Sequence, residues 1–175
     1  DVHGGPHNAW NGAVDEMHVF HQELAAHGWT IVMINPRGSD GYGEEFWRGV
    51  NGAWGVADAK DFLEPVDQLV AEGVADPARL AVTGYSYGGY MTAYLTGHDD
   101  RFAAAVAGGI VADMVSMGGT SDDAHLLSLF EVGLMPWASA DRAALSEMSP
   151  YSYVERVTTP TLVLHGEKDL RCPVH

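Results

Sequence analysis

The amino-acid sequence predicts an α/β fold, a mostly parallel sheet with helices on both faces. Short runs at 29–34, 79–83, 102–107 and 161–165 are of strand length and almost wholly apolar. Without polar alternation they read as strands buried on both sides. Between them lie segments whose apolar residues recur every three or four positions, so strand and helix alternate along the chain. A glycine-rich turn at 84–89 then joins one strand directly to a helix.

In chain order, Asp1-Val2-His3 reads as the tail of a strand, turned by Gly4-Gly5-Pro6. Met17, Phe20, Leu24 and Ala25 have helical spacing and predict a helix over about 14–27, stopped by Gly28. Residues 29–34 form the next strand, closed by Asn35-Pro36-Arg37-Gly38. Phe62, Val66, Leu69 and Val70 share one side of a helix over about 56–72, with Pro65 as a point of kinking. Asp76-Pro77 opens the strand that leads to Ser86, and 90–95 continue as a helix. The strand at 102–107 and the last one at 161–165 enclose a mostly helical excursion, 113–150. Repeats, low-complexity tracts and linkers are absent, which predicts one domain.

The chemistry is densest at Gly84-Tyr85-Ser86-Tyr87-Gly88-Gly89. Gly-x-Ser-x-Gly between a strand and a helix is the nucleophile elbow of an α/β-hydrolase fold. The serine occupies a strained turn that lifts its hydroxyl clear of the sheet, and the glycines remove β-carbons that would collide there. Acyl transfer also needs backbone N–H donors where the oxyanion forms. The residue after the nucleophile, Tyr87, supplies one. Gly5, in the glycine-rich turn after the opening strand, is the choice for the second, because a bare glycine lets substrate approach the backbone. In this fold the triad runs serine, acid, histidine along the chain, with the acid on a loop after a later strand. Asp169 stands on such a loop after 161–165, and Glu167 competes for the role.

Composition narrows the partners. Of 175 residues, 46 % are hydrophobic, enough for a sizeable core. Nine Lys+Arg against 24 Asp+Glu give a formal charge of −15, which argues against nucleic acid or an anionic membrane as partner. The single cysteine, Cys172, rules out an internal disulfide and fits a reducing, cytoplasmic location. The longest apolar run, 102–112, is too short to span a membrane. His18 and His21, one helical turn apart, and His3 with His7 lack a His-Glu-x-x-His pattern or a cysteine cluster, so neither metal nor cofactor is expected.

Taken together, His3-Gly4-Gly5-Pro6, Asn35-Pro36-Arg37-Gly38-Ser39 with Gly41-Tyr42-Gly43, Trp54-Gly55 with Asp58 and Asp61, Asp76-Pro77-Ala78-Arg79, the elbow through Tyr90, Ser149-Pro150, and His165-Gly166 with Asp169-Leu170-Arg171 resemble the catalytic domain of the prolyl oligopeptidase family of serine peptidases. The likeness is to its acylaminoacyl-peptidase and dipeptidyl-aminopeptidase-like branch and spans essentially the whole chain. It implies Ser86 as nucleophile, Asp169 as triad acid, and Tyr87 and Gly5 as oxyanion donors. Arg171 resembles a family arginine that reaches a substrate carbonyl; the competing reading is a surface arginine paired with local acids. Short peptides are the implied substrates, and a β-propeller domain the implied companion in the full-length chain. Oligomeric state is left open.

The departures matter too. The family's catalytic histidine follows one more strand and helix, whereas this sequence stops at His175, which by resemblance belongs to the start of that helix. The family's earlier strands and its propeller are also missing. The expectation is an internal piece of a longer enzyme, inactive alone, with an unpaired edge strand after residue 165. A serine peptidase is the leading function, with a carboxylesterase on the same fold and an inactive, partner-binding hydrolase domain as alternatives.

Overall fold

The computed structural model describes residues 1–13 and 16–174. Its regular elements run α1 (Phe20–Ala26), α2 (Glu44–Trp47), α3 (Ala59–Ala71), β1 (Leu80–Tyr85), α4 (Tyr87–Thr96), β2 (Phe102–Gly108), α5 (Met114–Thr120), α6 (Ala124–Leu126), α7 (Arg142–Met148) and β3 (Thr161–Leu164). Short 3₁₀ turns lie at Arg48–Val50, Pro77–Arg79 and Pro150–Arg156, and a π-helical turn at Leu127–Val132.

The three strands form one parallel sheet in the order β1-β2-β3. Val82 and Gly84 of β1 stand in register with Ala105 and Ala107 of β2, and all four are buried. The element packed there is α4, where every residue except Ala93 is buried. A helix apolar on all sides belongs in the middle of a fold, and this one occupies the core with Trp54, Phe62, Met114, Leu145 and Met148. Leu162, Val163 and Leu164 of β3 are more than half exposed.

Three sequence expectations are corrected. Residues 29–34 are not a strand. Apolar content prepares a run for a sheet, but a strand exists only where a neighbour completes its hydrogen-bond ladder, and the contact here is the Asp1 nitrogen on the Val32 carbonyl at 2.9 Å. The opening segment likewise touches the sheet through one parallel bridge, Val2 to Gly84, with Val2 N–H on the Thr83 carbonyl at 2.8 Å. The first helix is shorter than 14–27: it begins at Phe20 with no capping side chain, and residues 14 and 15 lie outside the described residues. Its buried residue is His21, whereas Met17 is 83 % exposed. The second predicted helix is present as α3, with Phe62 buried and Pro65 in its interior.

Candidate active site

Ser86 is the only non-glycine among the described residues with a positive φ, at φ 61° and ψ −122°. The strain is held from both sides. Its N–H donates to the Gly108 carbonyl of β2 at 2.9 Å, and its own carbonyl accepts from Tyr90 N–H at 2.9 Å. A β-carbon on Gly84 would lie 2.5 Å from Gly88 backbone, on Gly88 2.1 Å from the Val2 carbonyl oxygen, and on Gly89 2.0 Å from the Gly108 carbonyl oxygen. Glycine at all three positions lets strand, turn and helix close up around the serine. Ser86 is thereby the residue before α4, whose first N–H groups have no partner within the helix and carry its positive end. Tyr87 N–H is the first of these.

The opposing wall is the turn after Val2. A β-carbon on Gly4 would sit 3.2 Å from the Tyr85 carbonyl and 3.5 Å from the Ser86 β-carbon, so this loop lies directly against the elbow. Gly5, at φ 143°, is the exposed residue of the turn. His3 anchors it: Nδ1 donates to the Gly4 carbonyl at 2.9 Å, which leaves Nε2 to accept the Ser39 hydroxyl at 3.0 Å. Burial pulls the His3 pKa down, against the Gly4 hydrogen bond and the Asp40 charge, so it is neutral near pH 7 with both nitrogens engaged. Further along, His7 stacks on Trp47 at 3.5 Å, donates through Nδ1 to the Gly38 carbonyl at 2.7 Å, and approaches Glu131 at 2.8 Å. Arg37 grips Asp61 of α3 in a bidentate pair at 2.7 and 2.8 Å.

The third wall is the loop after β3. One Asp169 oxygen accepts the N–H groups of Arg171 and Cys172 at 3.0 and 2.9 Å, which curls the loop around the carboxylate. His165 holds the Cys172 carbonyl at 2.5 Å and stands 3.9 Å from the second Asp169 oxygen. Cys172 is buried, 4 % exposed, and its thiol lies near enough to the Ser86 side chain to feel its hydroxyl. Burial and the Asp169 charge push its pKa up, against Ser86 and Arg171. Through Cys172, Ser86 and the Asp169 loop are therefore neighbours. Glu167 is exposed. Arg171 is also exposed, with its guanidinium on Asp122 at 2.8 Å and Asp123 at 3.2 Å. The surface pairing weighed in the sequence thus exists, and with five N–H donors it does not exhaust the group.

With this geometry in place, comparison with known proteins is informative. The model of the prolyl oligopeptidase family matches residues 17–175. The chain belongs to the prolyl oligopeptidase family. It is 40 % identical over 175 residues to an uncharacterized peptidase, YuxL, of Bacillus subtilis, covering 99 % of this chain and 26 % of that protein. It is 37 % identical to the acylamino-acid-releasing enzyme of Arabidopsis thaliana, of which it covers 23 %. Among solved structures, Pyrococcus horikoshii acylaminoacyl peptidase superposes with a TM-score of 0.90 at 32 % identity, over 99 % of this chain and 28 % of that one. The fold is that of the α/β-hydrolases, and the chain spans about a quarter of the relatives it matches.

For a family member, two further residues stand out that the motifs alone did not single out for a role. Cys172 is buried with its N–H on Asp169 and its thiol near Ser86; its closeness to Asp169 in sequence was the available signal. Asp58 is fully buried and accepts the Tyr87 hydroxyl. Burial raises its pKa to about 6, opposed by the Tyr87 hydrogen bond. Its place in a Trp-Gly-x-x-Asp motif was visible, its partner was not. His175 lies outside the described residues. No helix among the described residues is long and apolar enough to cross a membrane.

Proposed function

We propose that this chain carries the nucleophile, oxyanion donors and triad acid of a serine peptidase acting on short peptides, of the acylaminoacyl-peptidase type. The observation that carries the reading is Ser86 at φ 61° ahead of α4, with Gly4 against its β-carbon and the Asp169 loop reaching it through Cys172. In the proposed reaction the Ser86 oxygen attacks the scissile carbonyl carbon, and the carbonyl oxygen takes the charge between Tyr87 N–H and Gly5 N–H. A histidine supplied by a segment following residue 175 removes the Ser86 proton and returns it to the leaving amine, oriented by Asp169. The acyl-enzyme is then hydrolysed by water. Arg171, steadied by Asp122 and Asp123, offers its outward N–H groups to a substrate carbonyl. A β-propeller domain elsewhere in the full-length chain restricts access to short peptides.

The test is the full-length protein on N-acetylated and free aminoacyl-p-nitroanilides beside p-nitrophenyl esters of similar size. Anilide hydrolysis that vanishes in Ser86→Ala supports the peptidase. Ester hydrolysis alone would assign an esterase, and no hydrolysis of either would leave a binding domain.

A further inference from the structure

The Asp58 carboxylate is used in an unusual way. It occupies the N-cap position of α3, where an aspartate ordinarily accepts an N–H of the first helical turn, yet its side chain makes no capping bond. It instead accepts the hydroxyl of Tyr87, a residue 1 % exposed at the head of α4. Trp54 packs edge-on against the Tyr87 ring at 5.1 Å, and Tyr90 stacks beside it at 5.9 Å. A buried carboxylate is costly unless it is well paired, so giving up the cap for this contact points to a role at Tyr87. That residue has two ends. Its ring is locked in the core, and its backbone N–H is the first of α4, directly after Ser86.

We propose that Asp58 is a positioning residue for the oxyanion hole: by holding the Tyr87 hydroxyl in the core it fixes the first turn of α4, and with it the Tyr87 amide. The proposal rests on the reading of Ser86 as nucleophile and Tyr87 N–H as oxyanion donor. Oxyanion donors act through placement, and a displacement well under an ångström weakens them in the transition state more than in the ground state. Losing the Asp58–Tyr87 bond therefore lowers kcat and leaves KM nearly unchanged.

The experiment uses the full-length protein with Asp58→Ala, Asp58→Asn and the double variant Asp58→Asn/Tyr87→Phe. The double variant removes the hydroxyl without stranding a buried charge, should Asp58→Ala fold poorly. A peptide aldehyde, whose hemiacetal oxygen takes the oxyanion position, reads the hole directly. Asp58→Ala and the double variant are expected to lose roughly ten- to a hundredfold in kcat, with KM within twofold and aldehyde affinity falling in parallel. Asp58→Asn keeps an acceptor for Tyr87 and stays within about threefold of wild type. Folded variants with unchanged kcat, or an equal loss in Asp58→Asn, would overturn the proposal. Ser86→Ala is assayed alongside: if it remained active, the nucleophile reading itself would fail, whatever the Asp58 variants do.

Discussion

Replacing Asp58 by asparagine should change how stability depends on pH, and the size of the change follows from the environment of the side chain. Asp58 is fully buried, and its pKa is raised from 3.8 to about 6, chiefly by burial. Burial also raises the Tyr87 phenol well above its usual value, so Tyr87 stays protonated and remains a donor throughout. A carboxyl whose pKa is higher in the folded than in the unfolded state binds its proton more tightly when folded. Its contribution to stability is therefore fully present below about pH 3.8 and is lost as pH rises through about 6. The whole effect corresponds to about 3 kcal/mol, of which about 2 kcal/mol falls between pH 4.5 and 7.5. Asparagine has the same shape and an acceptor for Tyr87, but no charge to bury. Urea denaturation of wild type and D58N, followed by near-ultraviolet circular dichroism from the Trp54–Tyr87–Tyr90 cluster, reads the difference. Wild type should lose about 2 kcal/mol relative to D58N on going from pH 4.5 to 7.5. Parallel stability curves over that interval would refute the burial argument.

Five other substitutions separate roles from bystanders. Asp169→Asn can still accept the Arg171 and Cys172 N–H groups, so the loop should keep its shape while kcat falls on the order of 10⁴-fold. Glu167→Gln, at an exposed position, should change steady-state kinetics little. Arg171→Ala should reduce kcat/KM for peptides about tenfold and spare small activated esters, which lack the carbonyl proposed as the Arg171 partner; equal losses on both would indicate a purely structural arginine. Gly89→Ala places a β-carbon 2.0 Å from the Gly108 carbonyl oxygen and should destabilise by about 3 kcal/mol or more, read as a lowered Tm. Gly119→Ala, in α5 with open space around it, should instead be neutral or stabilise by up to about 1 kcal/mol.

What the sequence revealed and what it hid divide along physical lines. The elbow was legible because its demands are local: a strand, a strained serine, and glycines where backbones touch. β1, α4, β2 and β3 followed from the same short-range logic. The run at 29–34 misled because a strand is a relation between two segments, and apolar residues specify only one of them. The first helix misled because Met17 and Phe20 carry the right spacing yet stay exposed, while the buried position fell to His21, tied to Asp1 at 2.6 Å. Asp58 and Cys172 were hidden for a third reason. Asp58 falls inside the predicted helix 56–72 as one acid of a motif, and only the fold brings its carboxylate to the Tyr87 hydroxyl. Cys172 reads as a lone thiol until the curl of the Asp169 loop brings it to Ser86.

The central claim is that Ser86 is the nucleophile, and the most direct measurement is the site of covalent capture. The full-length protein is treated with a fluorophosphonate and mapped by peptide mass spectrometry. A single phosphonyl adduct on Ser86, formed in step with loss of hydrolysis and absent from Ser86→Ala, is the predicted result. Complete inactivation with the adduct on another residue, or sustained hydrolysis by Ser86→Ala, would contradict it.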